Sequence, residues 1–245
     1  MKNYIRKFVT ILEKSRNAIA FTGAGISAES GIVTFRGENG IWSKYEEKLF
    51  EINYFAKNTE KAWSMLCSGF YETMLKAKPN IAHTALAHFE QRGFIKAVIT
   101  QNIDNLHKRA GSKTVYELHG NAAGLKCIND DSKYMIKDFD LTRPPRCKKC
   151  NSILKPDFVF FGEMLPDYDM CMSLEATLKC DVMIVIGSTG TVYPAAALPF
   201  RAKENNAIII EINPRPSVFT DKITDIFIPM TSSKAMKKLE NLLIK

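Results

Sequence analysis

Short apolar runs recur along the chain at 18–22, 95–100, 115–118, 158–161, 182–187 and 207–212, separated by polar or helical stretches. They are rich in Val, Ile and Phe and apolar at successive positions, as strands buried on both faces of a parallel sheet must be. Between them, Pro79-Asn80 opens a helical pattern that stops at Gly93, and a short helix over 104–110 is closed by Gly111. The first residues space Tyr4, Ile5 and Phe8 like an amphipathic helix, and 232–244 reads as another. The predicted class is α/β, a parallel sheet with helices on both faces. Two stretches break the alternation: 32–78 is helical with no strand, and 121–156 is polar, turn-rich and holds three of the six cysteines. We read them as two insertions forming a smaller lobe. The expected organisation is then a large domain of 1–31, 79–120 and 157–245 beside a small one of 32–78 and 121–156.

Composition narrows the class without naming a function. The chain has 245 residues, 46% hydrophobic and 24% charged, enough for a sizeable core and far from disordered or collagenous extremes. No apolar run approaches the roughly 18 residues of a membrane span, and the N-terminus shows no secretory leader, so a cytoplasmic protein without membrane contact is expected. An excess of 34 Lys+Arg over 26 Asp+Glu gives +8, but it is scattered, with local concentrations only at 143–149 and 234–238. A scattered excess is a solvated surface, and no direct nucleic-acid binding is expected from it. Cys147-Lys148-Lys149-Cys150 is the one closely spaced cysteine pair, which in a cytosolic chain points to metal or redox chemistry.

Candidate chemistry clusters at strand ends. After the first run comes Gly23-Ala24-Gly25-Ile26-Ser27-Ala28, a GxGxxA loop of the kind that lets backbone approach a pyrophosphate or simply makes a tight turn. A dehydrogenase would show a second strand about 20 residues later ending in an acid for the adenosine ribose. Here 35–45 is not a strand, so any nucleotide must lie differently. Gly187-Ser188-Thr189-Gly190 follows another run and Asn213 a third, and their convergence favours a nucleotide crevice. His119 follows a strand at the mouth of the same crevice. His83, His88 and His107 fall within helical patterns and read as packing or surface residues, and Cys67, Cys171 and Cys180 as packing residues.

The blocks Gly23 to Ile32 leading to Thr34-Phe35-Arg36, then Thr100-Gln101-Asn102-Ile103-Asp104, Leu118-His119-Gly120 and Phe160-Phe161-Gly162-Glu163, resemble in order and spacing the sirtuins of bacterial and archaeal type. That family comprises NAD-dependent protein-lysine deacylases, and the resemblance runs from about residue 10 to residue 230. It implies a Rossmann-like domain binding NAD in an inverted sense, a small domain with a helical module and a zinc module, and an acyl-lysine protein or peptide as partner. Carried over by position, Gly23, Ala24, Gly25 and Ser27 belong to the phosphate loop, with Phe35 and Arg36 on the cofactor loop over nicotinamide. Gln101 would hold the nicotinamide ribose, Asn102 position ribose or an ordered water, and Ile103 and Asp104 grip the carboxamide. Gly187, Ser188, Thr189 and Asn213 would serve the adenosine half. The peptide would add as a strand between Val159, Phe160, Gly162 and Glu163 on one side and Val192 and Tyr193 on the other, a pairing that reads little sequence.

The implied reaction has the acyl oxygen attack the ribose carbon as nicotinamide leaves, giving an alkylimidate. A general base then deprotonates a ribose hydroxyl that closes onto the acyl carbon. His119 is the expected base, imidazole titrating nearest physiological pH. Products would be free lysine, nicotinamide and O-acetyl-ADP-ribose. Other uses of the same residues are a protein ADP-ribosyltransferase, against which His119 counts, and a nucleotide-binding regulator, against which the full set of Gln101, Asn102, Asp104 and His119 counts.

The sequence also departs from the family. Two CxxC pairs usually hold zinc, but the first reads Cys127-Ile128-Asn129-Asp130, so either Cys127, Cys147 and Cys150 bind zinc with Asp130 as the fourth ligand, an acceptable oxygen donor, or zinc is lost and the module holds by packing alone; retained zinc is the expectation. Val33 replaces a common Pro, and Gly190 replaces an apolar residue, which would enlarge the adenosine side or unsettle the peptide strand. Members preferring acidic acyl groups carry a Tyr and an Arg three residues apart on the helix before Pro79. The stretch 67–74 has no Arg, so neutral acyl groups are expected. The protein substrate and oligomeric state have no signature in the chain.

Overall fold

A computed structural model describes residues 2–32 and 47–243. In chain order the elements are α1 (Lys2–Lys14), β1 (Ala18–Thr22), α2 (Ile52–Lys57), α3 (Thr59–Met65), α4 (Glu72–Lys76), α5 (Ile81–Gln91), β2 (Val98–Thr100), α6 (Leu106–Arg109), β3 (Val115–Glu117), β4 (Gly120–Lys126), β5 (Lys133–Met135), β6 (Lys155–Phe158), α7 (Asp167–Lys179), β7 (Val182–Ile186), α8 (Ala197–Glu204), β8 (Ile208–Ile212), β9 (Ile226–Ile228) and α9 (Ser232–Leu243). A short 3₁₀ turn, Ala24–Ser30, follows β1 directly.

Six strands form one parallel sheet in the order β3-β2-β1-β7-β8-β9. Their alternation feeds two cores. Ala18, Ala20, Val182, Ile184, Ile186, Ile210 and Ile212 face α1, α5 and α9, packing with Phe8, Leu86, Phe89 and Leu239. Ile19, Phe21, Met183, Val185 and Ile209 face the opposite side with Leu198 and Ala202 of α8. Apolar side chains on both faces are what a sheet covered on both sides needs, and they explain why these runs were legible as strands. The chain starts at β1, winds outward through β2 and β3, then returns beside β1 at β7 and winds the other way. The switch point therefore falls between β1 and β7, where open α/β sheets collect ligands beyond their strand ends.

The run 158–161 is corrected. Its residues do not form a strand of the parallel sheet; β6 stops at Phe158 and pairs antiparallel with β4 in a separate three-stranded sheet, β5-β4-β6. Aromatic packing decides the outcome. Phe158 and Phe160 stack at 4.9 Å and meet Phe50, Phe55 and Phe70 in a core of the smaller lobe. Trp63 anchors that lobe, stacked on Tyr71 at 5.8 Å and donating its indole N–H to the Leu154 carbonyl. The sixth strand of the parallel sheet is instead the three-residue β9.

Candidate active site at the switch point

The tips after β1 and β7 are laced together by backbone. Gly23 N–H donates to Ile186 O at 3.0 Å, Gly25 N–H to Gly187 O at 2.9 Å, and Gly187 N–H to Ile212 O at 3.1 Å. Gly187 has φ 64, and a Cβ there would stand 2.4 Å from the Ile26 nitrogen. At Gly25 a Cβ would stand 2.7 Å from the Gly187 Cα. Both contacts are with backbone, which cannot swing aside. Gly25→Ala is therefore expected to destabilise the fold by about 1–3 kcal/mol, read as a lower urea midpoint; an unchanged midpoint would contradict this account of the loop.

Beyond β2, the 101–104 segment turns its polar side chains inward. Gln101 Nε2 donates to Ser188 Oγ at 2.9 Å, linking the β2 tip to the β7 tip. Asn102, 5% exposed, donates its amide to Gly23 O at 3.2 Å and Ser27 Oγ at 3.1 Å. The Ser27 hydroxyl donates to Asp104 Oδ2 at 2.6 Å, and Leu106 N–H to Asp104 Oδ1 at 2.9 Å. Burial raises the Asp104 pKa, opposed first by the Ser27 hydrogen bond. His83 completes the cluster from α5. Its Nδ1 accepts the Asn80 N–H at 3.3 Å, which places the proton on Nε2, 3.4 Å from Ser27 Oγ.

His119 stands just past β3, half-buried, with Nδ1 2.8 Å from the Gln101 carbonyl oxygen. A carbonyl only accepts, so Nδ1 carries the proton and Nε2 keeps its lone pair. Burial lowers the His119 pKa, with the Gln101 bond acting the other way. A neutral imidazole with a fixed tautomer and an available lone pair is the form a general base requires. The following glycine is also specified by packing: Gly120 has φ 71, and a Cβ there would stand 2.4 Å from the Asp157 carbonyl.

At the far side, the Asn213 amide donates to Ser188 O and to Glu211 Oε1, both at 2.9 Å. Glu211 is completely buried and also receives the hydroxyls of Ser217, Thr220 and Thr224. Thr189 is exposed, its hydroxyl 3.0 Å from that of Thr191. Gly190 opens no extra room. Its φ is 74 and the buried Phe219 ring comes within 2.8 Å of where a Cβ would lie, so Phe219 fills that space.

Among residues expected to meet a peptide, Val159 N–H donates to His119 O at 2.9 Å, which ties that segment to the base. Phe160 is buried in the small-lobe core, whereas Gly162 and Tyr193 are exposed and Val192 and Glu163 half-buried. Lys155 escaped the sequence reading. It is buried, and its ammonium donates to Phe158 O at 2.7 Å, Pro156 O at 3.0 Å and Glu163 Oε2 at 2.9 Å, while Glu163 also receives the Phe160 N–H. Burial lowers the Lys155 pKa, and Glu163 opposes the shift. One signal was present in the chain, a lone lysine beside an aromatic run.

Cys127, Asp130, Cys147 and Cys150 come together, their ligand atoms all within 4.8 Å of one another. Two turns of one design build the cluster. Cys127 N–H donates to Ser132 O and Cys147 N–H to Ser152 O, at 2.9 and 2.8 Å. Asn129 N–H and Lys149 N–H each point to the preceding cysteine sulfur at 3.4 Å, and Asp131 and Asn151 share left-handed φ values of 57 and 60. Asp130 thus occupies the position that Cys150 holds in the second turn. The Ser132 N–H keeps its carboxyl well below the usual carboxylate range, in the ligand form.

His83 and His107 are buried, and His88 is exposed, paired with Glu240. Cys180 is buried and Cys67 half-buried, but Cys171 is exposed on α7 and is not a packing residue, because that helix turns it to solvent. Val33, Phe35 and Arg36 lie outside the described residues. No helix among the described residues is long and apolar enough to cross a membrane.

The Sir2 family model matches residues 23–194. An NAD-dependent protein deacylase of Pyrococcus furiosus is 47% identical over 94% of this chain and 94% of its own. An NAD-dependent protein deacetylase of Thermotoga maritima is 42% identical over 90% of this chain and 91% of its own. Among solved structures, a Sir2–p53 peptide–NAD+ complex is similar with a TM-score of 0.89 at 37% identity, covering 97% of this chain and 98% of that one. A Sir2 variant with deacetylated p53 peptide and 3'-O-acetyl ADP ribose gives 0.90 at 38% identity, covering 97% and 98%. With the family model spanning most of the chain and the fold matching along nearly its whole length, this protein belongs to the Sir2 family.

Proposed function

We propose that this chain is an NAD-dependent protein-lysine deacetylase that transfers the acetyl group to ADP-ribose, releasing nicotinamide and O-acetyl-ADP-ribose. The observation that carries the reading is His119, held just past β3 beside the β2 tip with Nδ1–H on the Gln101 carbonyl and Nε2 available as a base. Relatives named as deacylases and a Sir2–peptide–NAD+ complex of the same fold support it. NAD supplies the ribose carbon that becomes electrophilic as nicotinamide leaves and the hydroxyls that receive the acyl group.

The chain's own residues do the positioning. Gly23, Ala24, Gly25 and Ser27 receive the pyrophosphate, and Gly187, Ser188, Thr189 and Asn213 the adenosine half. Gln101 and Asn102 hold the nicotinamide ribose, Ile103 and Asp104 the carboxamide, and Phe35 and Arg36 cover the nicotinamide end. His119 Nε2 takes the ribose hydroxyl proton. The acetyl-lysine peptide lies between Val159, Phe160, Gly162 and Glu163 and the pair Val192 and Tyr193; the exposed side chains of Phe161, Met164 and Tyr193 offer it apolar contact. Neutral acyl groups suit a helix segment without arginine. The protein works in the cytoplasm as an acyltransferase to ADP-ribose, on domains divided at 31/32, 78/79, 120/121 and 156/157.

A structural zinc ion fits Cys127, Asp130, Cys147 and Cys150, since three sulfurs and a deprotonated carboxylate converge as a four-coordinate site requires. Elemental analysis of protein purified without chelator is expected to find close to one zinc per chain, reduced in Asp130→Ala. Protein folded with no zinc would end this assignment. The activity itself is tested by mass spectrometry of an acetyl-lysine peptide with and without NAD. Loss of acetyl only with NAD, together with O-acetyl-ADP-ribose, is the expected result; unchanged peptide with ADP-ribose attached to protein would replace the deacetylase by a transferase.

A further inference from the structure

Lys155 is a buried charge that the proposed reaction does not use. It is 6% exposed, and an ammonium at that depth is tolerated only where its donors are met. All three are met here: by Pro156 O at 3.0 Å, Phe158 O at 2.7 Å and Glu163 Oε2 at 2.9 Å, with the Phe160 ring centroid 4.6 Å away. Two of these acceptors lie on β6 itself. The third reaches back from beyond the strand, and that contact fixes the shape of the segment that follows.

Residues 160–163 make a closed turn. Glu163 N–H donates to Phe160 O at 3.0 Å, and Phe160 N–H donates to the Glu163 carboxylate at 2.8 Å, so the two ends bind each other twice. Gly162 has φ 91 at the third position, where a turn of type II takes a positive value. The neighbouring donors are spent, Val159 N–H on His119 O at 2.9 Å and Phe161 N–H on Phe50 O at 2.7 Å. Of the N–H groups of 159–163, only that of the exposed Gly162 has no partner among the described residues.

We propose that Lys155 is a positioning residue for peptide binding: by holding the Glu163 carboxylate on the Phe160 N–H it keeps the turn closed and leaves the Gly162 N–H set for the incoming strand. This rests on the acetyl-lysine peptide lying along 159–163. Strand addition draws its affinity from main-chain pairing, so an edge shaped before the peptide arrives spares the ordering that a loose turn would cost. Glu163 alone does less, because its side chain is 28% exposed and an unpaired carboxylate there is free to turn to water. Lys155 holds it from the buried side, and Glu163 is its one ion-pair partner among the described residues.

The test is binding of a fluorescein-labelled acetyl-lysine peptide to the full-length chain without NAD, read by anisotropy, beside ADP-ribose binding read by calorimetry. Lys155→Met is expected to weaken the peptide about tenfold, roughly what fixing one backbone residue costs, and to leave ADP-ribose unchanged. Glu163→Gln keeps an acceptor for the Phe160 N–H but loses the charge, and is expected to weaken the peptide several-fold. Both act through one contact, so the double variant should bind no more weakly than Lys155→Met alone. A lysine serving the fold alone would lower the urea midpoint of Lys155→Met and leave the peptide Kd of the folded protein where it was, which overturns the assignment. Losses that add in the double variant overturn it too. Should Lys155→Met not fold, Glu163→Gln decides: weaker peptide binding with faster exchange of the Phe160 amide upholds the brace, and an unchanged Kd overturns it. A wild type that binds no acetyl-lysine peptide is a separate result, which ends the deacetylase reading as well.

Discussion

His119→Ala is expected to lower NAD-dependent deacetylation by about 10²–10⁴-fold, the usual contribution of a positioned general base. The loss should appear in turnover, with the fold intact, because the side chain is only half-buried and its one polar partner among the described residues is the Gln101 carbonyl. The pH profile carries the same assignment. Burial lowers the pKa of His119 from its ordinary 6.5, and the base works only when neutral. Wild-type kcat/KM is therefore expected to be level, as far as this group is concerned, above pH 6.5 and to decline only at more acidic pH. Near-normal peptide deacetylation by the variant, measured as acetyl loss by mass spectrometry, would remove His119 from the role.

Acid should unfold the protein through two buried histidines. His83 is completely buried, and burial lowers its pKa from 6.5 to about 4. His107 is lowered well below 6.5 by burial and by the charge of His83, their rings 4.9 Å apart. In the unfolded chain both take a proton near 6.5. Between that pH and the folded value the unfolded state binds more protons, so stability rises with pH there, is complete above 6.5 and is lost as pH falls toward 4. His83 alone accounts for about 3 kcal/mol of that loss. The urea midpoint at pH 4.5 against pH 7 reads the effect, and NMR titration of the histidine ring protons assigns it. A folded-state His83 that titrates near 6.5 would contradict the prediction.

Much of this is legible in the sequence alone, for physical reasons that differ by element. The runs that became β1, β7 and β8 were placed to within a residue because a strand covered on both faces must be apolar at every position. The same logic misled at 158–161, where an equally apolar run belongs to the small-lobe core; periodicity reports burial but not which sheet does the burying. β9 escaped because three residues are too few to show a pattern. Glycine tips, the 101–104 segment and His119 stood out by residue type at strand ends. Their partners did not, since Ser27 with Asp104 and Asn102 with Gly23 join loops 77 and 79 positions apart. Asp130 was readable from spacing alone, whereas the shared geometry of its turn and that of Cys150 is visible only in three dimensions.

The close backbone contact of Gly25 with Gly187 has a thermodynamic consequence. Two loops from neighbouring strands that touch through main-chain atoms, and are joined by hydrogen bonds at 2.9 and 3.0 Å, have little freedom left to lose. The pyrophosphate would then meet a preformed cradle, and its binding would carry almost no ordering entropy from this half of the site. ADP-ribose, which keeps the pyrophosphate but lacks nicotinamide, should accordingly retain most of the affinity that this cradle confers on NAD.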